Sequence, residues 1–106
     1  KKVWGSEEWI VNNEKYCGKL LKVNEGEWSS EGKYHYHKIK DETFYVIKGI
    51  LLLVVEGKEI YLKKGGTYRI LPKVKHKFTS IKGVCEFIEV STTHSDEDSY
   101  RVDNWQ

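Results

Sequence analysis

The sequence predicts an all-β sandwich or barrel, and three observations carry that reading. Val, Ile, Tyr, Phe and Thr gather in short runs separated by Gly, Asn, Asp and Lys, the pattern of strands and turns. No segment sustains the apolar period of an amphipathic helix, so any helix is expected to be short. The turn signals recur at close, regular intervals, as they do where many short strands fold into two packed layers.

The expected strands follow in order. Trp9–Val11 leads to a turn at Asn12-Asn13, and Cys17–Val23 to a turn at Glu25-Gly26. Tyr34–His37 and Thr43–Ile47 come next, with Lys48-Gly49 as the turn into Ile50–Val55. Glu56-Gly57-Lys58 is a hairpin signal returning through Glu59–Leu62. Gly65-Gly66 turns into Thr67–Leu71, and His76–Ser80 and Cys85–Ser91 complete the set. The polar tail from Thr92 to Gln106 is expected to be an arm or loop. Ile50–Val55 is apolar at every position, which means that both faces are covered. In a small β domain the second cover is often another subunit, so a homodimer is expected.

Length and composition narrow the function. The chain of 106 residues is most simply one domain. Its net charge of +2 comes from nearly balanced acids and bases, which gives no basic stripe for nucleic acid. No apolar run approaches the length of a membrane span. Lys1-Lys2-Val3-Trp4-Gly5 has no apolar signal-type segment, and a cytoplasmic protein is expected. Cys17 and Cys85 lack the spacing of a zinc pair or redox motif. Both sit in apolar β-like stretches and read as small buried hydrophobes in a reducing compartment.

Chemistry concentrates around the histidines. Of the four in the chain, His35 and His37 stand at i and i+2, where strand geometry puts them on one face. Glu42 follows within reach of that face after a short turn. In Val74-Lys75-His76-Lys77-Phe78 the lysines alternate with apolar or imidazole positions, so His76 points inward with Val74 and Phe78. A buried imidazole needs a partner. A core Tyr or carboxylate would serve, but with His35 and His37 also inward, shared coordination of a transition metal is the better reading. Alternation along Cys85–Val90 puts Glu89 on the face of Cys85 and Phe87; an outward Glu89 paired with a lysine explains it equally well.

These residues resemble the cupin superfamily. The first cupin motif appears as His35-x-His37, four residues, Glu42, six residues, Gly49. The second runs from Gly65 through Pro72 to His76, with Lys73 where the motif has a glycine and Leu71 where it has a proline. The upstream glycine of the first motif is replaced by Ser29. The resemblance implies a jelly-roll barrel, with its core over about residues 17–91 and a C-terminal arm over 92–106. It also implies one divalent transition metal held by His35, His37, Glu42 and His76. That ligand set accepts Mn, Fe, Co, Ni or Zn.

The end of the barrel from Glu89 to Val102, the Trp4-Gly5 and Tyr16–Lys19 stretches and the Lys40–Phe44 segment are similar to small cupins of the mannose-6-phosphate isomerase and D-lyxose isomerase types. That similarity implies a sugar or sugar phosphate as substrate and aldose–ketose isomerisation. Glu89 would move the proton between C1 and C2, while Lys40 would stabilise an anionic intermediate or bind phosphate. A solvated lysine beside Lys38 is the blander reading of Lys40, and an exposed tail residue is that of Arg101. Three alternatives stand beside this one: an Fe(II) dioxygenase, a sugar- or metabolite-binding module without turnover, and a structural barrel whose histidines are satisfied in the core.

Overall fold

Alternating side chains close the chain into two facing sheets. The computed structural model describes residues 2–106. Its strands are β1 (Gly5–Asn12), β2 (Tyr16–Val23), β3 (Tyr34–Tyr36), β4 (Glu42–Lys48) and β5 (Leu51–Val55), then β6 (Lys58–Leu62), β7 (Thr67–Ile70), β8 (His76–Ser80), β9 (Cys85–Thr92) and β10 (Tyr100–Val102). One sheet has the order β1-β2-β9-β4-β7 and the other β10-β3-β8-β5-β6. Every strand pairing in them is antiparallel. This is the jelly-roll barrel, and the only helical segments among the described residues are short 3-10 turns at Ser29–Gly32 and Asp96–Asp98.

The cross-strand register sorts the inner faces into rows. In the first sheet one row is Leu21, Phe87 and Val46. In the second, Leu53 lies opposite Phe78. These side chains, with Leu51, Val23 and Phe44, make an apolar core in which Val46, Leu53 and Phe87 are wholly buried. Burying each such side chain stabilises the fold by roughly 1.5–3 kcal/mol. Towards the other end of the barrel the same inner faces become polar. One row there is Trp9, Lys19, Glu89 and Phe44, and the next is Cys17, Ser91 and Glu42. The facing sheet supplies Val55, His76, His35 and Arg101 as a row. The barrel thus has a dry end and a polar end, and the polar end holds the site.

The tail differs from the arm or loop expected. Asp98 is buried, and its carboxylate accepts hydrogen bonds from the amides of Lys38 at 2.8 Å, Ile39 at 3.1 Å and Lys40 at 3.0 Å. Beyond it β10 pairs with β3, and Tyr100 stacks on Tyr36 on the outer face. The second face of β5 is correspondingly covered from within the chain. Leu52 and Val54 pack with Tyr34, flanked by Trp28 and Val102, and are only 7% and 6% exposed. Continuous apolar character in β5 therefore does not by itself require a second subunit.

The two cysteines are free and buried. They sit at opposite ends of the β2–β9 ladder, Cys17 opposite Ser91 and Cys85 opposite Val23.

Where the resemblance has a glycine, Lys73 adopts the left-handed backbone at φ +73°. Its amide donates to the carbonyl of His37 at 2.6 Å, tying the two motif segments together. A side chain in that conformation is strained. Lys73→Gly is expected to raise stability by about 0.5–1 kcal/mol, the relief of strain being partly offset by glycine's entropy. Urea unfolding checks this, and a loss of stability would show that the turn is relaxed as it stands.

Candidate metal centre

Three imidazoles converge at the polar end. Candidate ligand atoms of His35, His37 and His76 all lie within 4.8 Å of one another. His35 belongs to β3, His37 follows directly after it, and His76 opens β8, directly opposite His35. Glu42 comes from across the barrel. It opens β4 in the other sheet, rather than returning to the face of β3. Its Oε2 lies 3.2 Å from His76 Nε2 and 3.6 Å from His37 Nε2.

The hydrogen bonds around the rings fix which nitrogens are left over. His37 Nδ1 donates to the carbonyl of Asp98 at 2.8 Å, and His76 Nδ1 to that of Val74 at 3.0 Å. Each ring then turns an unprotonated Nε2 towards Glu42. Glu42 Oε2 and His76 Nε2 are buried with no hydrogen-bond partner, and so is His35 Nδ1. Buried acceptors facing one another are costly unless a cation lies between them. Backbone carbonyls that orient the rings from behind are the usual outer support of metal-binding histidines.

Protonation states agree with that donor set. Burial lowers the pKa of His37 to about 4 and that of His35 well below the ordinary value, so both rings are neutral at neutral pH. Burial works to raise the pKa of Glu42, but its polar neighbours, the Lys40 ammonium among them, outweigh it and hold the carboxyl below its ordinary value. Neutral imidazoles with one carboxylate suit a divalent transition metal. These residues fit such an ion, with His35, His37, His76 and Glu42 as the side chains to hold it.

Lys40 and Glu89 lie beside this cluster. Lys40 is 3% exposed, not the solvated lysine that its neighbour Lys38 suggested. Its ammonium donates to Glu89 Oε2 and to His94 Nδ1, both at 3.0 Å, and stands 3.8 Å from Glu42. Burial would lower its pKa, but Glu89 and Glu42 more than offset that and keep it charged. Glu89 points inward, as its alternation with Phe87 allows, and also accepts from Ser91 at 3.0 Å. The cavity above these groups holds about 890 Å³ and is walled by Trp4, Trp9, Phe44 and Phe78 among others. Arg101 reaches it because β10 places that residue opposite His35.

Lys19, His94 and Asp98 were not assigned roles from sequence. Lys19 had a visible signal, since Cys17, Lys19, Leu21 and Val23 share inward parity. Asp98 had none, because its partners are backbone amides about 60 residues away.

Double-stranded β-topology, two histidines ahead of a carboxylate and a third histidine on β8 define a cupin. Residues 19–91 match the cupin domain family, and the chain belongs to it. An uncharacterized protein of Methanocaldococcus jannaschii, MJ1618, is 34% identical over 50 residues, a stretch that is 47% of this chain and 40% of that protein. This chain therefore matches less than half of that curated relative. Among solved structures, KdgF from Halomonas sp. superposes with a TM-score of 0.80 at 17% identity, over 92% of this chain and 87% of that one. A cupin-2 domain containing protein from Shewanella frigidimarina gives a TM-score of 0.69 at 29% identity, over 85% and 81%.

Removing the cation of the buried pair strands its carboxylates. Lys40→Met is expected to cost about 3–5 kcal/mol in urea unfolding, and Lys40→Met/Glu89→Gln less than the sum of the two single changes. Strictly additive losses would show that the two side chains are not coupled.

Proposed function

We propose that this cupin holds one divalent transition metal through His35, His37, Glu42 and His76 and isomerises an open-chain sugar or sugar phosphate between its aldose and ketose forms. The observation that carries the reading is the Lys40–Glu89 pair, buried against Glu42 on the cavity wall. When bound, the metal supplies Lewis-acid polarisation of a carbonyl oxygen. Glu42 faces the histidines and serves as a ligand, which leaves Glu89 as the base. The bonds from Lys40 and Ser91 both fall on Glu89 Oε2, so Oε1 is the oxygen left to take the proton from C2 and return it at C1, while the hydroxyl proton passes from O2 to O1 and the sugar keeps its formula. The Lys40 ammonium offsets negative charge that develops on the substrate oxygen. Trp4, Trp9 and Phe44 give the sugar apolar walls.

A second reading rests on the same pair. Lys40 and Glu89 satisfy each other, as a purely structural ion pair would, which favours a binding module without turnover. Elemental analysis and a screen of aldoses and their phosphates distinguish the two. Near-stoichiometric metal in the wild type, falling sharply in His76→Ala, is expected. Glu89→Gln is expected to keep its metal and lose at least about a hundredfold in kcat. A metal-free wild type would remove the metalloenzyme reading, and saturable sugar binding with no turnover would favour the binding module.

A second copy remains part of the proposal, with its place changed. Tyr45 and Val90 are 42% and 59% exposed on the outer face of the first sheet, and Ile10, 60% exposed, lies beside Gly18 there. Light scattering is expected to give a dimer that Val90→Glu converts to monomer. A wild-type monomer at tens of micromolar would overturn the dimer.

A further inference from the structure

Lys19 is the second lysine buried in the cavity wall, at 2% exposure. Strand pairing sets it between Trp9 on β1 and Glu89 on β9, facing inward. Its ammonium lies over the Trp9 ring, 4.1 Å from the centroid. Its ion pair with Glu7 is long: Glu7 Oε1 stands 3.9 Å away and is at the same distance from Lys2. Glu89, its neighbour in the row, is engaged by Lys40 instead.

The remaining contact is with His94. Both Lys19, at 3.4 Å, and Lys40, at 3.0 Å, approach His94 Nδ1. An ammonium has no lone pair, so Nδ1 accepts, and the ring proton sits on Nε2, which donates to Asp96 Oδ1 at 2.8 Å. Nδ1 has a single lone pair, and the nearer Lys40 takes it. Lys19 is left as a buried ammonium whose contacts are all long, a shared one to His94 at 3.4 Å, Glu7 at 3.9 Å and the Trp9 ring, on the wall of a large cavity. A buried charge with only long contacts is weakly compensated, and an anionic oxygen is the partner that supplies a close one. Arg101 and Lys2 also line this cavity, as do the carboxylates of Glu7 and Asp96 and those of Glu42 and Glu89 beside Lys40.

We propose that Lys19, with the Trp9 ring beside it, forms an anion subsite that binds the phosphate or carboxylate group of the cavity's small-molecule ligand. This rests on the sugar reading above and narrows it to an acidic sugar derivative. A neutral sugar's hydroxyls accept from the Lys19 ammonium but bring no negative charge to it. Lys19 acts by binding, and no step of the chemistry passes through it.

Calorimetric titration of the purified protein with D-glucose 6-phosphate, D-glucuronate, inorganic phosphate and D-glucose tests this. The wild type is expected to bind at least one of the anions, and bind it more tightly than glucose. Glucose 6-phosphate and phosphate as the preferred probes would assign a phosphorylated ligand, and glucuronate a carboxylated one. Lys19→Gln is expected to weaken that binding about tenfold or more, while Lys19→Arg retains most of it. Equal affinity in Lys19→Gln, or no preference for anions in the wild type, would overturn the subsite. Should Lys19→Gln fail to fold, phosphate protection of Lys19 from reductive methylation in the wild type decides, and unchanged labelling overturns the proposal. These readouts require neither turnover nor a particular metal, so their failure is separable from failure of the isomerase reading.

Discussion

The Glu42 carboxylate, 2% exposed among imidazoles and a lysine, is the constraint on which the polar half of the barrel depends. Burying a carboxylate is unfavourable unless charge and hydrogen bonds compensate it. Lys40 does so from the loop before β4, while His76 and His37 turn unprotonated nitrogens towards the carboxylate from the facing sheet, an arrangement that a metal ion between them would complete. Each is held in turn by backbone. Val74 and Asp98 carbonyls orient the two rings, and the Asp98 side chain gathers the amides of residues 38–40. The site is therefore held by the second sheet, the loop after β3 and the C-terminal segment together.

That dependence explains the division of the barrel. A jelly roll closed entirely by Leu, Val and Phe would be filled and dry. Here the row of Phe87 and Val46 is apolar throughout, and the next rows carry Lys19, Glu89, Ser91 and Glu42 beside Phe44 and Ile70. Stability from the lower rows supports polar burial in the upper ones. The cavity is the space that the upper, polar side chains leave between the sheets.

Much of this was legible in the sequence because strands have a period of two. Parity alone put His76 inward between lysines and allowed Glu89 to face the cavity. The motif spacing grouped His35, His37 and Glu42, although Glu42 arrives from the opposite sheet. The burial of Lys40 was not legible, because it follows Lys38 in a loop, where no parity applies; it is set by Glu89, 49 residues away. The cover over Leu52 and Val54 was missed for a related reason. A polar tail showed no strand signal, yet β10 is added to the edge of β3 and brings Val102 with it. Local pattern reports which face a side chain takes; it does not report which distant segment will lie against it.

X-ray absorption spectroscopy of the zinc-reconstituted protein tests the central claim most directly. The account predicts one zinc per chain, with nitrogen and oxygen scatterers near 2 Å and multiple-scattering features of about three imidazoles. Zinc bound through sulfur, or with no imidazole signature, would contradict a centre built on His35, His37, His76 and Glu42.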